Sequence, residues 1–319
     1  MTAGAFVTTA LGMAWATLHY IVFYRFAIGF AFLCSVLLQF FLPAERWLRA
    51  IHGRSGPLPV LAAAGLGFTT SPSRQAIKSN FSHLVAVKAP LTALVAYLIC
   101  GHGLTVYYLL MLGPLLGKDV LLSHILGGVT IFIVASLSPS VIFGKTSWTS
   151  ELARDVDFTP PPLRLSRITR VIESELRAVG LLSLYGLLLG GVIAAWGLSP
   201  WHVAPAALFG GGLTAQGINS ILGLVVSFLT WMSPVANLFV GTYAWKVGIA
   251  HAGLVSFFFG SLISWPRVRL YQRTLGHRQG TVFALVLALA AIAAGLFVAL
   301  FFHFTGLSIH YKLIPEQLL

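Results

Sequence analysis

A chain of 319 residues that is 57% hydrophobic and 9% charged, with a mean hydropathy of +0.89, is not an ordinary water-soluble domain, in which about a quarter of the residues are charged. Its net charge of +12 does not indicate a nucleic-acid-binding protein, because the basic residues concentrate in a few loops and no base-reading module is present. Its two cysteines, Cys34 and Cys100, both lie in apolar segments and favour neither a disulfide framework nor a thiolate metal centre.

Five apolar segments are long enough to cross a membrane as helices, since about twenty residues span a hydrocarbon core of about 30 Å. They are residues 11–42, 118–143, 177–198, 203–231 and 281–304. Short alternating segments of the outer-membrane barrel type are absent, so the sequence predicts an all-α, polytopic membrane protein. The first segment has no basic region before it and is too long for a signal peptide, so we expect it to be retained.

Three basic loops predict how the chain crosses the membrane. They contain thirteen of the twenty Lys and Arg residues, namely Arg46, Arg49, Arg54, then Lys145, Arg154, Arg164, Arg167, Arg170, Arg177, and finally Arg267, Arg269, Arg273, Arg278. The positive-inside rule places such loops in the cytoplasm, where anionic lipid head groups are their expected partners. Both termini are then expected outside the cell inner (plasma) membrane.

The central basic loop divides the chain into two halves. We predict a first transmembrane repeat at 1–143, a cytoplasmic linker at 144–176 and a second transmembrane repeat at 177–319. The linker contains Pro160-Pro161-Pro162 and mixed charges, with a short amphipathic helix start near its end. Each half must cross an odd number of times, so the two halves are expected to run in opposite senses.

Each half also contains apolar segments that are too short to cross a membrane alone. In the first half they are a helix start at 57–68, a break at 69–75, and apolar runs at 89–100 and 104–116. In the second half, segment 203–231 is followed by Ser233-Pro234, a polar interval to His251 and an apolar run at 252–259. We therefore predict two inverted repeats, each with about three full transmembrane helices plus a re-entrant helical hairpin.

Broken helices at membrane depth expose backbone polar groups, which are tolerated only around protein or a wet cavity. Two breaks in matching positions predict a substrate site near the midplane, whereas a single Ser-Pro break is also explained as a kink. The candidate substrate-binding residues are Ser73, Arg74, Gln75, Lys78, Gln216, Asn219, Ser233, Asn237 and Ser261. The scattered histidines His83, His102, His124 and His251 are interpreted as hydrogen-bonding residues between helices.

The charge near the breaks indicates the class of solute. Asp119 is the one acidic residue in the sequence outside the predicted loops and the tail, and it lies beside Lys118 at a predicted membrane boundary. Intramembrane cation sites and proton relays normally use Asp or Glu, so an anionic or neutral solute is expected. Arg74 and Lys78 are either anchors for such a solute or side chains that extend to the head-group layer.

Several motifs resemble those of the predicted permease family, which includes the organoarsenical efflux permeases. They lie at Ser233-Pro234-Val235-Ala236-Asn237, Trp245, Gly248-Ile249-Ala250, 256–263, Pro266 and 270–276, with weaker likeness at Ser73-Arg74-Gln75 and 112–128. The likeness covers most of the chain. It implies the permease scaffold and a binding role for Asn237.

The chain departs from the family pattern at three positions. Ser73 and Ser233 stand where the family has cysteines, and Ser261 stands where it has a membrane aspartate. Capture of a soft arsenic or metal centre needs sulfur ligands, so the family's arsenical substrates are not supported here. The resemblance then implies that Ser73 and Ser233 act as hydrogen-bond donors at the breaks.

We therefore expect a permease that moves a small solute by alternating access, without a cofactor. The alternative is a non-transporting membrane subunit or scaffold that retains a permease fold. An intramembrane enzyme is disfavoured, because no acid–base pair, nucleophile–base spacing or metal cluster is apparent. A homo-oligomer or a larger membrane complex is compatible with either reading. A cavity at the breaks that is open to one side would favour the permease over the scaffold.

Overall fold

The computed structural model describes residues 3–71, 73–142, 165–197, 212–230, 234–246 and 249–307, and its regular structure there is entirely helical. The first-half helices are α1 (Ala3–Phe41), α2 (Ala44–Ile51), α3 (Pro57–Thr69), α4 (Arg74–Ala86), α5 (Leu91–His102), α6 (Val106–Leu116) and α7 (Lys118–Ile142). They are followed by α8 (Leu165–Gly197), α9 (Leu213–Thr230), α10 (Pro234–Lys246), α11 (His251–Gly260), α12 (Trp265–Leu275) and α13 (His277–Thr305), with a 3₁₀ turn at Ser261–Ile263. The all-α prediction is confirmed for these residues.

The helices include candidate membrane spans, judged by length and composition. Within the described ranges, α9, α13 and residues Lys118–Leu137 of α7 are each long and apolar enough to cross a membrane. Two bent pairs also qualify together: Arg25–Phe41 with α2, bent by 55°, and α5 with α6, bent by 46°. The described part of the chain therefore has three candidate spans, or up to five if each bent pair is one span. This supports the predicted membrane protein.

The first predicted break is present in the structure. Helix α3 ends at Thr69 because the next residue, Thr70, has an extended backbone. Helix α4 then begins after Ser73, whose hydroxyl accepts a hydrogen bond from the Ala76 amide at 3.0 Å. A serine at this position satisfies one of the free amides at a helix start. The polar residues of the break therefore end one helix and begin another.

The predicted interruption after Gly101 is also present. Helix α5 ends at His102, and Thr105 caps α6 by accepting a hydrogen bond from the Tyr108 amide at 3.2 Å. The separate runs 89–100 and 104–116 thus correspond to two helices that meet at an angle of 46°.

The described part of the second half differs from the prediction in one place. The expected polar interval before His251 is largely helical, because α10 begins at Pro234, and proline is well suited to the first position of a helix. Helix α9 is described to Thr230 and α10 from Pro234, so the predicted break at Ser233 lies outside the described residues.

The third basic loop was predicted wrongly, because most of it forms helix α12. The buried residues Arg267, Tyr271, Thr274 and Leu275 follow the spacing of one helix face, and this face packs against α13 and α4. The other two arginines of α12, Arg269 and Arg273, are exposed. In the sequence, the four basic residues Arg267, Arg269, Arg273 and Arg278 favour a loop and make the amphipathic spacing of this helix hard to recognise.

Close packing of small residues joins the helix before each predicted break to the second helix after it. Helix α3 packs along α5, where Gly67 lies against Gly101. Helix α9 packs along α11 in a parallel direction, with Asn219 near Gly253 and Ser227 near Gly260. Small residues let helix backbones approach closely in membrane proteins. The same kind of contact thus follows each break.

Two further helix pairs connect the halves. Helix α7 packs along α13, and α1 packs along α8. The second pair is antiparallel, since Ser35 contacts Glu175 while Gln39, further along α1, contacts Arg167, which lies earlier on α8. Helix α8 begins at Leu165, within the segment that the sequence analysis assigned to the linker.

We predict that Gly67→Ala destabilises the protein by about 1–3 kcal/mol, the usual cost of overpacking. A Cβ atom there would lie 2.6 Å from the Tyr97 carbonyl oxygen and 2.7 Å from the Gly101 amide nitrogen, and backbone atoms cannot move aside cheaply. The matched control is Gly29→Ala in α1, where a Cβ meets nothing within 4 Å. It should be neutral or stabilising by up to about 1 kcal/mol. Thermal unfolding in detergent measures both, and equal melting temperatures would contradict the proposed α3–α5 contact.

Candidate functional site

A partly open cavity of about 250 Å³ lies at the first helix break. Its described walls come from the end of α1, the start of α2, the end of α3, and from α4 and α8. The polar side chains in these walls belong to Gln39, Glu45, Thr69, Thr70, Ser71, Asn80 and Arg167. The cavity therefore combines the break in the first half of the chain with a helix of the second half.

Hydroxyl and amide groups satisfy the backbone at this break. Thr69 Oγ1 donates to the Gly65 carbonyl at 2.9 Å, and Thr70 Oγ1 donates to the Leu66 carbonyl at 2.5 Å. Asn80 Nδ2, from α4, donates to Thr70 Oγ1 at 3.0 Å. Carbonyls at the end of a helix otherwise lack partners, so these bonds allow α3 to end inside the protein.

Ser71 supplies a polar group that the break does not use. Its side chain is 3% exposed, and its buried Oγ has no hydrogen-bond partner among the described residues. Ser71 lines the cavity, and no described residue bonds its buried hydroxyl. A buried hydroxyl without a partner costs roughly 1–3 kcal/mol, which is a reason to expect an occupant.

Arg167 closes one side of the cavity. Its Nη2 donates to the Gln39 carbonyl at 3.2 Å, and its guanidinium lies 5.5 Å from the centre of the Phe40 ring. Its side chain is 8% exposed and lies in a helix, so the prediction that Arg167 belongs to a loop was wrong. The physical reason is that α8 starts early enough for this residue to pack against α1.

The expectation that acidic groups are absent from the breaks was also wrong. Glu45 lines the cavity. Glu175 lies behind Gln39 and is fully buried, accepting hydrogen bonds from Ser35 Oγ at 2.6 Å and from Gln39 Nε2 at 3.1 Å. The absence of carboxylates therefore no longer supports an anionic or neutral solute.

The spacing of residues in the sequence indicates that Arg167 and Glu175 share one side of a helix. Arg167, Val171 and Glu175 are spaced at i, i+4 and i+8, which places them on one helix face. The prolines at 160–162 and the mixed charges favour a linker through residue 176, and this composition outweighs the helical spacing at Glu175.

The predicted residues of the first break lie beside the cavity. Ser73 is half-buried and caps α4, while Gln75 and Lys78 are exposed. Arg74 begins α4, and its side chain lies outside the described part of the structure. None of these four is among the described lining residues. Their role in binding stays a prediction, and the exposed position of Lys78 suits a side chain that reaches the head-group layer.

Asn237 forms the corresponding bond at the second break. It is fully buried, and its Nδ2 donates to Ser227 Oγ at 3.1 Å and to the Phe257 carbonyl at 3.5 Å. The Asn80–Thr70 and Asn237–Ser227 bonds both join an asparagine to a hydroxyl ten residues earlier. Both therefore connect the helix after a break to the end of the helix before it.

The other predicted residues of the second half bond within or between neighbouring helices. Gln216 Oε1 accepts from the Ala252 amide at 3.2 Å at the start of α11, and Asn219 Nδ2 donates to the Ala215 carbonyl at 2.8 Å. Ser261 Oγ donates to the Phe258 carbonyl at 3.0 Å. None of them is among the described residues that line the cavity. The structure thus places the predicted residues in two groups, one for each break.

Three predicted inter-helix histidines do form such bonds. Arg267 Nη1 donates to His102 Nδ1 at 2.9 Å, and a ring nitrogen of His124 contacts the Gly103 carbonyl at 2.8 Å. His251 Nε2 lies 2.6 Å from Ser123 Oγ, which connects α11 to α7. The bond between Arg267 and His102 could not be predicted, because the arginine-rich segment that forms α12 resembles a loop in sequence.

Comparison with known proteins is consistent with this architecture. The sequence model of a family described as "Predicted permease" matches residues 3–300. A curated protein of Mycobacterium tuberculosis named "Putative permease Rv2963" is 23% identical over 299 residues, covering 83% of this chain and 70% of that protein. No solved structure matches the chain at a comparable level of significance.

We predict that the two asparagine bonds differ in their contribution to stability. Asn237→Ala leaves Ser227 Oγ and the Phe257 carbonyl without a donor in a fully buried site, which should cost about 1–3 kcal/mol. Asn80→Ala should cost about 1 kcal/mol or less, because water in the cavity can replace the lost amide. Melting temperatures in detergent measure the difference.

The matched control is Gln75→Ala, since Gln75 lies on the same helix as Asn80 and is exposed. It should leave the melting temperature unchanged. An Asn80→Ala variant that is as unstable as Asn237→Ala would show that the first break is not reached by water.

Proposed function

Because the chain belongs to the predicted permease family, we propose that it is an integral membrane permease, and not an enzyme, that moves a small polar solute by alternating access. Family membership suggests membrane transport. The proposal adds the site, the chemistry of the solute and the mechanism.

The cavity at the first break is the observation that carries the proposal. In hydrocarbon, a broken helix is tolerated where it lines a cavity or is buried in protein, and transporter sites are commonly built from such breaks. Here the break presents the Ser71 hydroxyl, without a described partner, beside Asn80 and Gln39. A non-transporting scaffold would not need a polar cavity at this break.

The lining favours a solute that is neutral overall. Arg167 contributes a positive charge and Glu45 a negative charge, while the remaining polar groups are hydroxyls and amides. Such groups bind by hydrogen bonds in both directions. Neither Cys34 nor Cys100 is among the described lining residues, so capture of an arsenical by thiolates has no support here.

The two halves are proposed to be inverted repeats that rock against each other. The proposal is supported by the two asparagine bonds that each span ten residues, and by the pairing of α3 with α5 and of α9 with α11. Motion of one repeat against the other would open the site alternately to the two sides.

The antiparallel α1–α8 pair supports the proposed orientation. It brings the end of α1, followed by Arg46 and Arg49 in α2, to the same side as the start of α8 with Arg170. The positive-inside rule assigns this side to the cytoplasm. The proposed location is the plasma membrane with both termini outside.

A bulky side chain at Ser71 should stop transport by filling the cavity. Proteoliposomes with the full chain would be tested for uptake of radiolabelled glycine, urea, phosphate, methylarsonate and choline. We expect uptake of a neutral member of this panel by the native chain and loss of that uptake in Ser71→Phe.

The matched control is Leu61→Phe, an apolar position on α3 that is 66% exposed and should transport normally. Melting temperatures close to that of the native chain would show that both variants are folded. If no panel member is taken up by the native chain, the scaffold alternative is favoured. If only phosphate or methylarsonate is taken up, the solute is an anion.

A further inference from the structure

The side chain of Glu175 is an acidic group buried between the two halves of the protein. It lies on α8 and is 0% exposed. Its described partners are the Ser35 hydroxyl and the Gln39 amide, both from α1. Arg177 and Glu173 form the one ion pair among the described residues. Glu175 is not part of it.

A carboxylate in such a position is energetically expensive. Removing an ionised group from water costs several kcal/mol unless an opposite charge compensates it. The described hydrogen-bond donors to Glu175, Ser35 and Gln39, are both neutral. Binding a proton would remove this cost.

We propose that Glu175 binds and releases a proton during the transport cycle and thereby couples proton movement to solute transport. This inference rests on the proposed permease function and identifies the coupling ion as the proton.

The hydrogen bonds around Glu175 suit both protonation states. In the carboxylate form, Ser35 Oγ and Gln39 Nε2 donate to the two carboxylate oxygens. When a proton binds to one oxygen, the new O–H donates to Ser35 Oγ, because a hydroxyl can accept as well as donate. The Ser35 proton then turns to a backbone carbonyl of the preceding turn, while Gln39 continues to donate to the other carboxyl oxygen.

Gln39 separates Glu175 from the cavity. Its amide contacts Glu175 at 3.1 Å and Ser35 Oγ at 3.1 Å, and the same side chain lines the cavity. A rotation of this one side chain would let cavity water deliver a proton to the carboxylate. Solute and proton would then share one space.

Protonation would also change the contact between the halves. The bonds from Ser35 and Gln39 to Glu175 join α1 to α8, and bonds to a charged carboxylate are stronger than those to a neutral acid. Loss of the negative charge therefore weakens this contact, and release of the proton strengthens it. This gives the proton a direct effect on the relative position of the proposed repeats.

The other charged or titratable groups nearby are few. Arg167 lies two turns earlier on α8 and bonds to the Gln39 carbonyl, Glu45 lines the cavity, and Glu173 and Arg177 form the exposed pair. Helix α1 carries the half-buried Cys34 beside Ser35. Helix α10, which also packs on α8, carries Tyr243 and Lys246, whose side chains lie outside the described part.

Infrared spectroscopy of the full chain in liposomes tests proton binding without any solute. The probe is the proton alone: acid-minus-alkaline difference spectra should contain the carbonyl stretch of a protonated carboxylic acid. We expect Glu175→Gln to remove one such band and Ser35→Ala to shift its position. A spectrum that is unchanged by Glu175→Gln would overturn proton binding at this residue.

Flux measurements test the coupling. In proteoliposomes with a panel solute that the native chain takes up, an inward proton gradient should stimulate net uptake. Glu175→Gln should lose this stimulation while it retains solute exchange at equal pH on both sides. The control Glu173→Gln removes the same charge two residues away at an exposed position and should behave as the native chain does.

The two experiments separate the possible failures. If no panel solute moves, the permease function fails, and the infrared result still decides whether Glu175 binds a proton. If transport occurs but Glu175→Gln responds to the gradient as the native chain does, the coupling proposal is overturned. A response to a sodium gradient in place of the proton gradient would also overturn it.

Discussion

The structure depends on how backbone groups at a broken helix find partners inside a membrane protein. An unpaired backbone group in hydrocarbon costs several kcal/mol, so helices can end at membrane depth only where side chains, protein or water take over the hydrogen bonds. At the first break, Thr69 and Thr70 bond the last carbonyls of α3, Ser73 caps α4, and Asn80 ties the two ends together. The short polar sequence from Thr69 to Ser73 is thus both the reason that the helix stops and the reason that the stop is tolerated.

Close helix packing is the second requirement, because a break that is satisfied locally must still be held in place. Gly67 against Gly101, and Ser227 against Gly260, bring the helix before each break into backbone contact with the apolar helix that follows. The hydrogen bond from Asn80 or Asn237 then spans a fixed distance. The asparagine bonds and the small-residue contacts therefore hold the helix before each predicted break to two different helices that follow it.

Much of this arrangement could be predicted from the sequence, for identifiable reasons. Long apolar segments and the breaks at 69–75 and after Gly101 depend on local composition, and the structure contains them. The buried positions of Arg167, Glu175 and Arg267 depend on which helices pack together. Charged residues near a proline-rich segment or in an arginine-rich one are ordinarily assigned to loops, and only the i, i+4 spacing on α8 and α12 indicates otherwise. The cavity could not be predicted in detail, because its walls combine four consecutive helices within residues 39–80 with α8, which lies far along the chain.

The two breaks are alike in their bonds but differ in their surroundings, and this difference bears on the mechanism. Asn237 is fully buried, whereas Asn80 is only partly buried and lines a polar cavity. Two equivalent sites in a symmetric state would have equal access to solvent. In an alternating-access cycle, one conformation should open one break and close the other. Under the proposed cycle, the described difference between Asn80 and Asn237 would correspond to a state in which the first break is accessible. Glu175 lies at the α1–α8 contact beside the first break. Under the proposal, protonation of Glu175 would favour one end state of the cycle over the other. The size of this preference is the difference between the two end states in the free energy of proton binding to Glu175.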